Sequence, residues 1–178
     1  MIKFIGIANI VFFAFVSLIL MARAQGFSFK KNTLSSLSGF RSSGRIFDLC
    51  LFIFSTNQVI FGVVVANTFI GNVSNLVIPL FIAGGALLCL ASIFPINRYP
   101  NLHFYLATFC LLLVGLGVLL LGVGLLNVNL TLASILLIFT LLIPILFFGR
   151  NMFPGGSWEI PLFICIFAWN IVLSIFIF

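Results

Sequence analysis

The sequence predicts an all-α fold, a polytopic bundle of six membrane-spanning helices. Of the 178 residues, 63% are hydrophobic and only 6% are charged, and the mean hydropathy is +1.41. Six long apolar runs follow one another along the chain, and most charged side chains lie between them. This composition excludes a soluble domain, because a water-facing surface needs roughly a quarter of its residues charged.

The first apolar run, from Phe4 to Met21, resembles a secretory signal peptide as well as a membrane helix. Lys3 precedes the run, and the A-x-A pattern of Ala22 and Ala24 follows it, as in a cleavable signal. However, the run has 18 residues without a charge, whereas the apolar part of a signal peptide has roughly 7 to 15. We therefore predict that it is the first transmembrane helix.

The five later runs are each long enough to cross a hydrocarbon core about 30 Å thick. They are too long for strands and lack the alternation of a lipid-facing barrel, whereas helices satisfy every backbone group internally. The longest connection, from Arg23 to Arg45, is basic and polar, with room for one short helix. We predict one domain, residues 1–178, with spans at about 4–22, 48–69, 76–94, 102–126, 130–148 and 160–178.

The basic residues predict the orientation in the membrane. Seven of the eight Lys and Arg residues lie in the first, third and fifth loops, which the positive-inside rule places in the cytoplasm, with both termini outside the cell membrane. They are Arg23, Lys30, Lys31, Arg41, Arg45, Arg98 and Arg150. We interpret them as topology signals and contacts with anionic lipids, not as a nucleic-acid surface. Sequons at Asn72 and Asn129 fall in the loops assigned to the exterior.

The cysteines and the single histidine argue against a metal or haem site. Each cysteine lies in a different apolar run without a C-x-x-C spacing, as expected of small buried hydrophobes. One histidine, His103, cannot form a bis-histidine haem site, and zinc would require Asp48, Glu159 or a cysteine to converge on it. We predict no metal and no cofactor. The four cysteines are Cys50, Cys89, Cys110 and Cys165.

Small residues predict how the helices pack. In the fourth span Gly115 and Gly122 are one heptad apart, as are Gly117 and Gly124, which gives a narrow stripe where a neighbouring backbone can approach. The third span offers a similar cluster at residues 83–86. We expect these glycines to serve packing.

One face of the second span is predicted to point inward. Asp48, Ser55 and Gly62 fall within about 40° of one another on a helix, so Ser55 and Gly62 are further packing candidates. Gln58 lies at the edge of this face. Asn57 points to the opposite side, so it needs a partner from another helix or another subunit.

Four polar residues are the candidates for a catalytic or transport site: Ser35, Asp48, His103 and Glu159. They come from four segments near one membrane surface and converge only if helices two, four and six are neighbours. Each also has a purely structural interpretation. Asp48 can pair with Arg45 one turn earlier, Glu159 can anchor its helix at the interface, and His103 can be a hydrogen-bonded interfacial histidine. No G-x-S-x-G elbow supports a serine nucleophile.

Three stretches resemble an uncharacterised family of six-helix membrane proteins, domain of unknown function 998. They are NTLSSLSGF with the following FDLCLFI, ALLCLASIFPINRYPNLHFYLAT, and GGSWEIPLFICIFAW. The resemblance implies a six-helix fold and no particular activity. Ser36 stands where the family pattern is often acidic. Family members tend to be basic at the N-terminus and in the second loop, which would place the first and third loops outside and so reverse the orientation. The matched positions are Thr33, Ser35, Leu37, Phe94, Pro95, His103, Glu159 and Trp169.

Few ionisable groups can converge, so the leading functional hypothesis is a non-enzymatic multi-pass protein. It would be an accessory or structural subunit that contacts lipids and other integral membrane proteins of a larger complex, with Asn57 as a partner contact. The alternative is a small transporter or membrane enzyme that uses the four polar candidates. A quinone or haem role is a third option.

Overall fold

Six α-helices make up most of the chain that the structure, a computed structural model, describes, namely residues 3–69, 71, 75–148, 156 and 158–176. A short 3-10 helix, Ser35–Gly39, lies in the first loop, as the sequence allowed. The described residues contain no strand, so the all-α prediction is confirmed. The helices are α1 Lys3–Arg23, α2 Gly44–Thr68, α3 Val77–Ile93, α4 Pro100–Leu125, α5 Leu130–Phe148 and α6 Glu159–Phe176.

Five of the described helices are long and apolar enough to cross a membrane, and α3 is a shorter apolar helix. The 17 residues of α3 extend about 25 Å at 1.5 Å per residue, slightly less than the hydrocarbon core. Two helices begin earlier than predicted. α2 starts at Gly44 because its first turn includes the polar residues at the interface, and α4 starts at Pro100, which is favourable at the first helical position. The chain is an integral membrane protein.

The helices form a closed ring. Each helix packs on the one before and after it in sequence, and α6 returns to pack on α1. Short connections favour such antiparallel neighbours. In this order α2, α4 and α6 are separated by α1, α3 and α5. The condition stated for the four polar candidates, that these three helices be neighbours, is met only through side chains that reach the inside of the ring, as where Phe54 of α2 packs against Phe167 of α6.

Two glycines of α3 allow this helix to pack closely against α2 and α4. A Cβ added at Gly84 would lie 2.6 Å from Val114 Cγ2 on α4, and one added at Gly85 would overlap the side chain of Val59 on α2. Backbones can approach this closely only where side chains are absent, as is common between membrane helices. α3 is consequently held tightly on both sides.

Phe81 of α3 lies inside the ring, between α2, α4 and α6. A Cβ added at Gly62 would lie 2.9 Å from the Phe81 Cβ, and one at Gly117 would lie 3.0 Å from its ring. The ring stacks on Trp169 of α6, with centroids 6.1 Å apart. Gly62 and Gly117 thus provide the space for one aromatic side chain that joins four helices.

The other glycines of α4 have different surroundings. At Gly122 an added Cβ would lie 3.2 Å from Leu137 on α5, so the two helices are close there. At Gly115 nothing lies within 4 Å, because this position faces an open groove between α4 and α5. Gly124 is half-buried. The two heptad pairs therefore do not form one uniform packing stripe.

Ser55 and Asn57 of α2 find partners within the chain. Ser55 is fully buried, and its hydroxyl donates to Leu51 O at 2.5 Å in its own helix. Asn57 Nδ2 donates to Asn9 Oδ1 at 3.2 Å, and Asn9 Nδ2 donates to Phe54 O at 3.0 Å. Such hydrogen bonds join membrane helices where no water competes. Asn57 thus has its partner on α1, another helix of the same chain.

The first, third and fifth loops meet at one end of the bundle, which we call the polar end. Gly156 N donates to Phe29 O at 3.0 Å, which ties the fifth loop to the first. Gly39 of the first loop lies against Asn97 of the third, 3.3 Å from the position of an added Cβ. Leu37 of the 3-10 helix is completely buried in the aromatic cluster around Phe13. The first loop therefore covers the polar end.

Some sequence predictions concern other parts of the chain. Arg150 and the sequon at Asn72 lie outside the described residues. In the second sequon, Asn129 Oδ1 accepts a hydrogen bond from Leu132 N at 3.0 Å, so this side chain caps the start of α5. All four cysteines are free thiols, and Cys50, Cys110 and Cys165 are buried.

Candidate functional site

A cavity of about 270 Å³ lies inside the ring. It is lined by α2 to α6 and, at the polar end, by Thr33 and Ser35 of the first loop. Its walls are mainly aromatic and aliphatic, and Phe81 stacked on Trp169 forms the deep end. A mostly apolar cavity with a few polar groups is the usual character of a small-molecule site, although this one lies just below the common range of roughly 300 to 1,000 Å³.

Glu159 lies at the polar end of the cavity, at the start of α6, and is only 8% exposed. Its Oε2 accepts hydrogen bonds from Leu34 N at 2.5 Å and from Ser35 N at 3.3 Å, and its Oε1 accepts one from Ser35 Oγ at 3.2 Å. The carboxylate therefore caps the 3-10 helix of the first loop, and the N-terminus of α6 favours its negative charge. The structure brings Ser35 and Glu159 into contact, and both oxygens of Glu159 are engaged.

Asp48 is bound within the wall of the polar end. Its Oδ1 accepts a hydrogen bond from Ser38 Oγ at 2.5 Å, so among the described residues it pairs with the first loop and not with the exposed Arg45. Arg98 and His103 lie close enough to interact electrostatically with its carboxyl group. Asp48 is not among the residues that line the cavity.

His103 links α4 to the end of α3 and is 5% exposed. Its Nδ1 lies 2.9 Å from Ala91 O and 3.0 Å from Phe94 O. Carbonyl oxygens only accept, so Nδ1 carries a proton, and in the neutral ring Nε2 is left as an acceptor. The described residues give Nε2 no partner, and the ring lines the cavity. This is the hydrogen-bonded interfacial histidine that the sequence allowed.

Among the described residues the four polar candidates fall into two groups, Ser35 with Glu159 and Asp48 with His103 nearby. A serine nucleophile needs a base within hydrogen-bond reach that is itself free to take the proton. Within the described chain no hydrogen bond joins His103 to Ser35, and Glu159, which does contact Ser35, is held by two backbone N–H groups. Nor do three His, Cys, Asp or Glu side chains converge there as a metal site would require.

Sequence reasoning missed two polar atoms in the cavity wall. Gln58 Nε2 and Thr108 Oγ1 are buried and find no partner among the described residues, and both residues line the cavity. Leaving such an atom unpaired costs roughly 1 to 3 kcal/mol, so buried polar atoms normally bind water or a ligand. A bound molecule can hydrogen-bond to this wall at these two side chains, after a small side-chain rotation, and at His103 Nε2, which also lacks a partner in the described chain.

Thr108 carries no sequence signal because threonine in an apolar helix normally satisfies itself. Thr56, Thr68 and Thr140 each donate to the carbonyl four residues earlier, whereas Thr108 does not. Gln58 belongs to the polar run at residues 55–58, but only the packing shows that it lines the cavity and that its amide nitrogen is buried without a partner among the described residues.

A family model described as a protein of unknown function (DUF998) matches residues 7–175. The chain belongs to this family. The match reaches from α1 into the end of α6, so the ring and the cavity both lie within the DUF998 region, and the resemblance in the sequence is confirmed. No curated protein and no solved structure matches the chain.

Proposed function

We propose that this DUF998 protein binds a small, uncharged lipophilic molecule in the cavity inside its ring of helices. One observation carries the proposal: the cavity is walled by apolar side chains and yet contains two buried hydrogen-bonding atoms, Gln58 Nε2 and Thr108 Oγ1, without partners in the described chain. A molecule that fills the cavity and carries a suitable polar group would give these atoms a hydrogen-bond partner.

The lining determines the chemistry of the ligand. Glu159 is the one formally charged side chain among the lining residues, and its carboxylate is already bound. Because an unpaired charge is costly in apolar surroundings, the ligand is uncharged. The amide of Gln58 donates N–H and the hydroxyl of Thr108 can donate or accept. The ligand therefore carries at least one accepting oxygen, such as a carbonyl, ether or alcohol.

The volume limits the size of the ligand. The cavity has a volume of about 270 Å³, slightly below the range of sites that bind drug-sized ligands. This is too small to enclose a lipid with two acyl chains. One ring system or one short chain with an oxygen atom fits.

We propose binding or transport and not catalysis, because Glu159 and Asp48 at the polar end are hydrogen-bonded to the first loop. The predicted role as an accessory subunit stays a prediction. One reason for that prediction was that Asn57 needs a hydrogen-bond partner. The structure supplies this partner within the chain, because Asn57 pairs with Asn9. A stoichiometric set of co-purifying membrane proteins would be the result in its favour.

The two tryptophans of the chain provide a direct test, because both Trp158 and Trp169 line the cavity. In the Trp158→Phe variant the remaining tryptophan, Trp169, is only 3% exposed. In nanodiscs we expect a short, uncharged brominated alcohol to quench this fluorescence saturably. A quencher dissolved only in the surrounding lipid would give weak, linear quenching instead.

A matched pair of variants on α4 localises the effect. Ala107 lines the cavity, so Ala107→Phe should fill it and remove the saturable quenching. Val123 is 52% exposed and lines neither the cavity nor the outer groove, so Val123→Phe adds an aromatic ring without this effect. Equal quenching in both variants would reject the cavity as the binding site.

A further inference from the structure

A second concavity of about 350 Å³ lies between α4 and α5 on the outside of the ring. We call it the outer groove. Four residues line both the outer groove and the central cavity, so they form a partition between the two. The partition consists of Thr108, Leu111, Ile143 and Phe147.

Two features of the sequence keep the outer groove open. Gly115 faces it with no atom within 4 Å of an added Cβ. Pro144, inside α5, cannot donate a backbone hydrogen bond to Thr140 and has a ring that separates the helix turns. Leu112 and Leu116, on the same wall, are exposed on the outside of the bundle. The outer groove thus faces the hydrocarbon of the bilayer.

The partition and the polar end obstruct the cavity in different ways. The partition is made of side chains that are half-buried or, at Ile143, buried, and its Phe147 packs against Phe104 and Trp158, so opening it displaces apolar and aromatic contacts. The polar end is closed by the first loop, which is held by the Glu159 hydrogen bonds and by the backbone bond from Gly156 to Phe29. Opening the polar end means breaking hydrogen bonds, whereas opening the partition does not.

We infer that the ligand enters the central cavity sideways from the bilayer, through the outer groove and past the partition between α4 and α5. The inference rests on the proposed function and specifies the ligand further as a molecule that is dissolved in the hydrocarbon of the membrane. An oxygen atom on that molecule meets the unpartnered Thr108 hydroxyl in the partition before it reaches Gln58 deeper in the wall.

The rate of ligand entry tests this route. In the Trp158→Phe background, a brominated alkanol is mixed with nanodiscs in a stopped-flow instrument, and the quenching of Trp169 is followed in time. Gly115→Leu adds side-chain atoms to the outer groove, at a position where an added Cβ has no atom within 4 Å. We expect the quenching rate to fall roughly tenfold, as when an extra side chain must be displaced for each passage, with the final extent of quenching unchanged. The control, Val123→Leu, lies on the same helix outside the outer groove and should leave the rate unchanged.

Each other outcome has a separate meaning. Equal rates in Gly115→Leu and Val123→Leu would overturn lateral entry. A loss of the final extent in Gly115→Leu would also overturn it, since the outer groove would then be the binding site itself. Absence of saturable quenching in the Trp158→Phe parent would instead reject the proposed function, before any rate is compared. Gly115→Ala, which fills less of the groove, should give an intermediate rate and guards against a folding defect in the leucine variant.

Discussion

The polar end of the bundle and the wall of its cavity both contain polar side chains, but these side chains differ in whether their hydrogen-bonding atoms have partners. At the polar end, Glu159 and Asp48 accept hydrogen bonds from the first loop, and His103 donates to backbone carbonyls. In the cavity wall, Gln58 and Thr108 have buried atoms without partners in the described chain. The carboxylates therefore bind the chain itself at the polar end, whereas the cavity wall keeps polar groups without partners in the described chain, at Gln58, Thr108 and His103 Nε2. Substitutions at the polar end and in the cavity wall test this contrast.

Glu159→Ala should be the most damaging change at the polar end. It leaves three donors, Leu34 N, Ser35 N and Ser35 Oγ, without their acceptor. Hydrogen bonds to charged groups contribute about 1.5 to 3 kcal/mol each, so we expect a loss of roughly 3 kcal/mol in the free energy of unfolding. Thermal unfolding in nanodiscs measures it. Glu159→Gln, which keeps an acceptor oxygen, should lose less. Unchanged stability together with lost ligand binding would reverse the assignment of Glu159 to structure.

Two glycine substitutions along α4 should change the free energy of unfolding in opposite directions. Gly117→Ala brings a Cβ within 3.0 Å of the Phe81 ring, and such overpacking costs typically 1 to 3 kcal/mol. Gly115→Ala meets open space and should stabilise the helix by up to about 1 kcal/mol. Melting temperatures of the two variants compare them directly. Equal shifts would show that the deep end of the cavity is no more rigid than the outer groove.

Gln58→Leu should weaken ligand binding without harming the fold. The substitution removes one hydrogen bond to the ligand oxygen, worth about 1 kcal/mol, so the dissociation constant of the brominated alkanol should rise roughly fivefold. A brominated alkane, which has no oxygen, serves as the control and should bind equally well to both proteins. The melting temperature without ligand should stay level or rise, because an unpaired buried amide is removed. A lower melting temperature would instead assign Gln58 a structural role.

The orientation of the polar end can be tested without altering stability. Ser42 in the first loop and Asn127 in the fourth loop are both exposed and lie at opposite ends of the bundle. If the positive-inside rule holds, Asn127→Cys reacts with a membrane-impermeant maleimide in intact cells and Ser42→Cys reacts only after permeabilisation. The native cysteines lie within the helices, so the unmodified chain is the control. The reverse pattern would support the orientation implied by the family pattern.

The sequence alone determined the fold class, the six helices and the membrane environment, because hydropathy and helix length are local properties of the chain. It also singled out Ser35 and Glu159, which the structure brings into contact. It did not show that Asp48 binds Ser38, that Asn57 binds Asn9, or that Thr108 lacks a partner. These outcomes depend on residues far away in sequence, as in the bond between Glu159 and Leu34, which are 125 positions apart.

The positions of the cavity and the outer groove depend on tertiary packing. The cavity and the outer groove exist because six helices close into a ring, with tight contacts at Gly84 and Gly117 and an empty space at Gly115. These three glycines look alike in the sequence. What distinguishes them is the side chain that each one faces on a neighbouring helix, and that is set by packing in three dimensions, which no local pattern records.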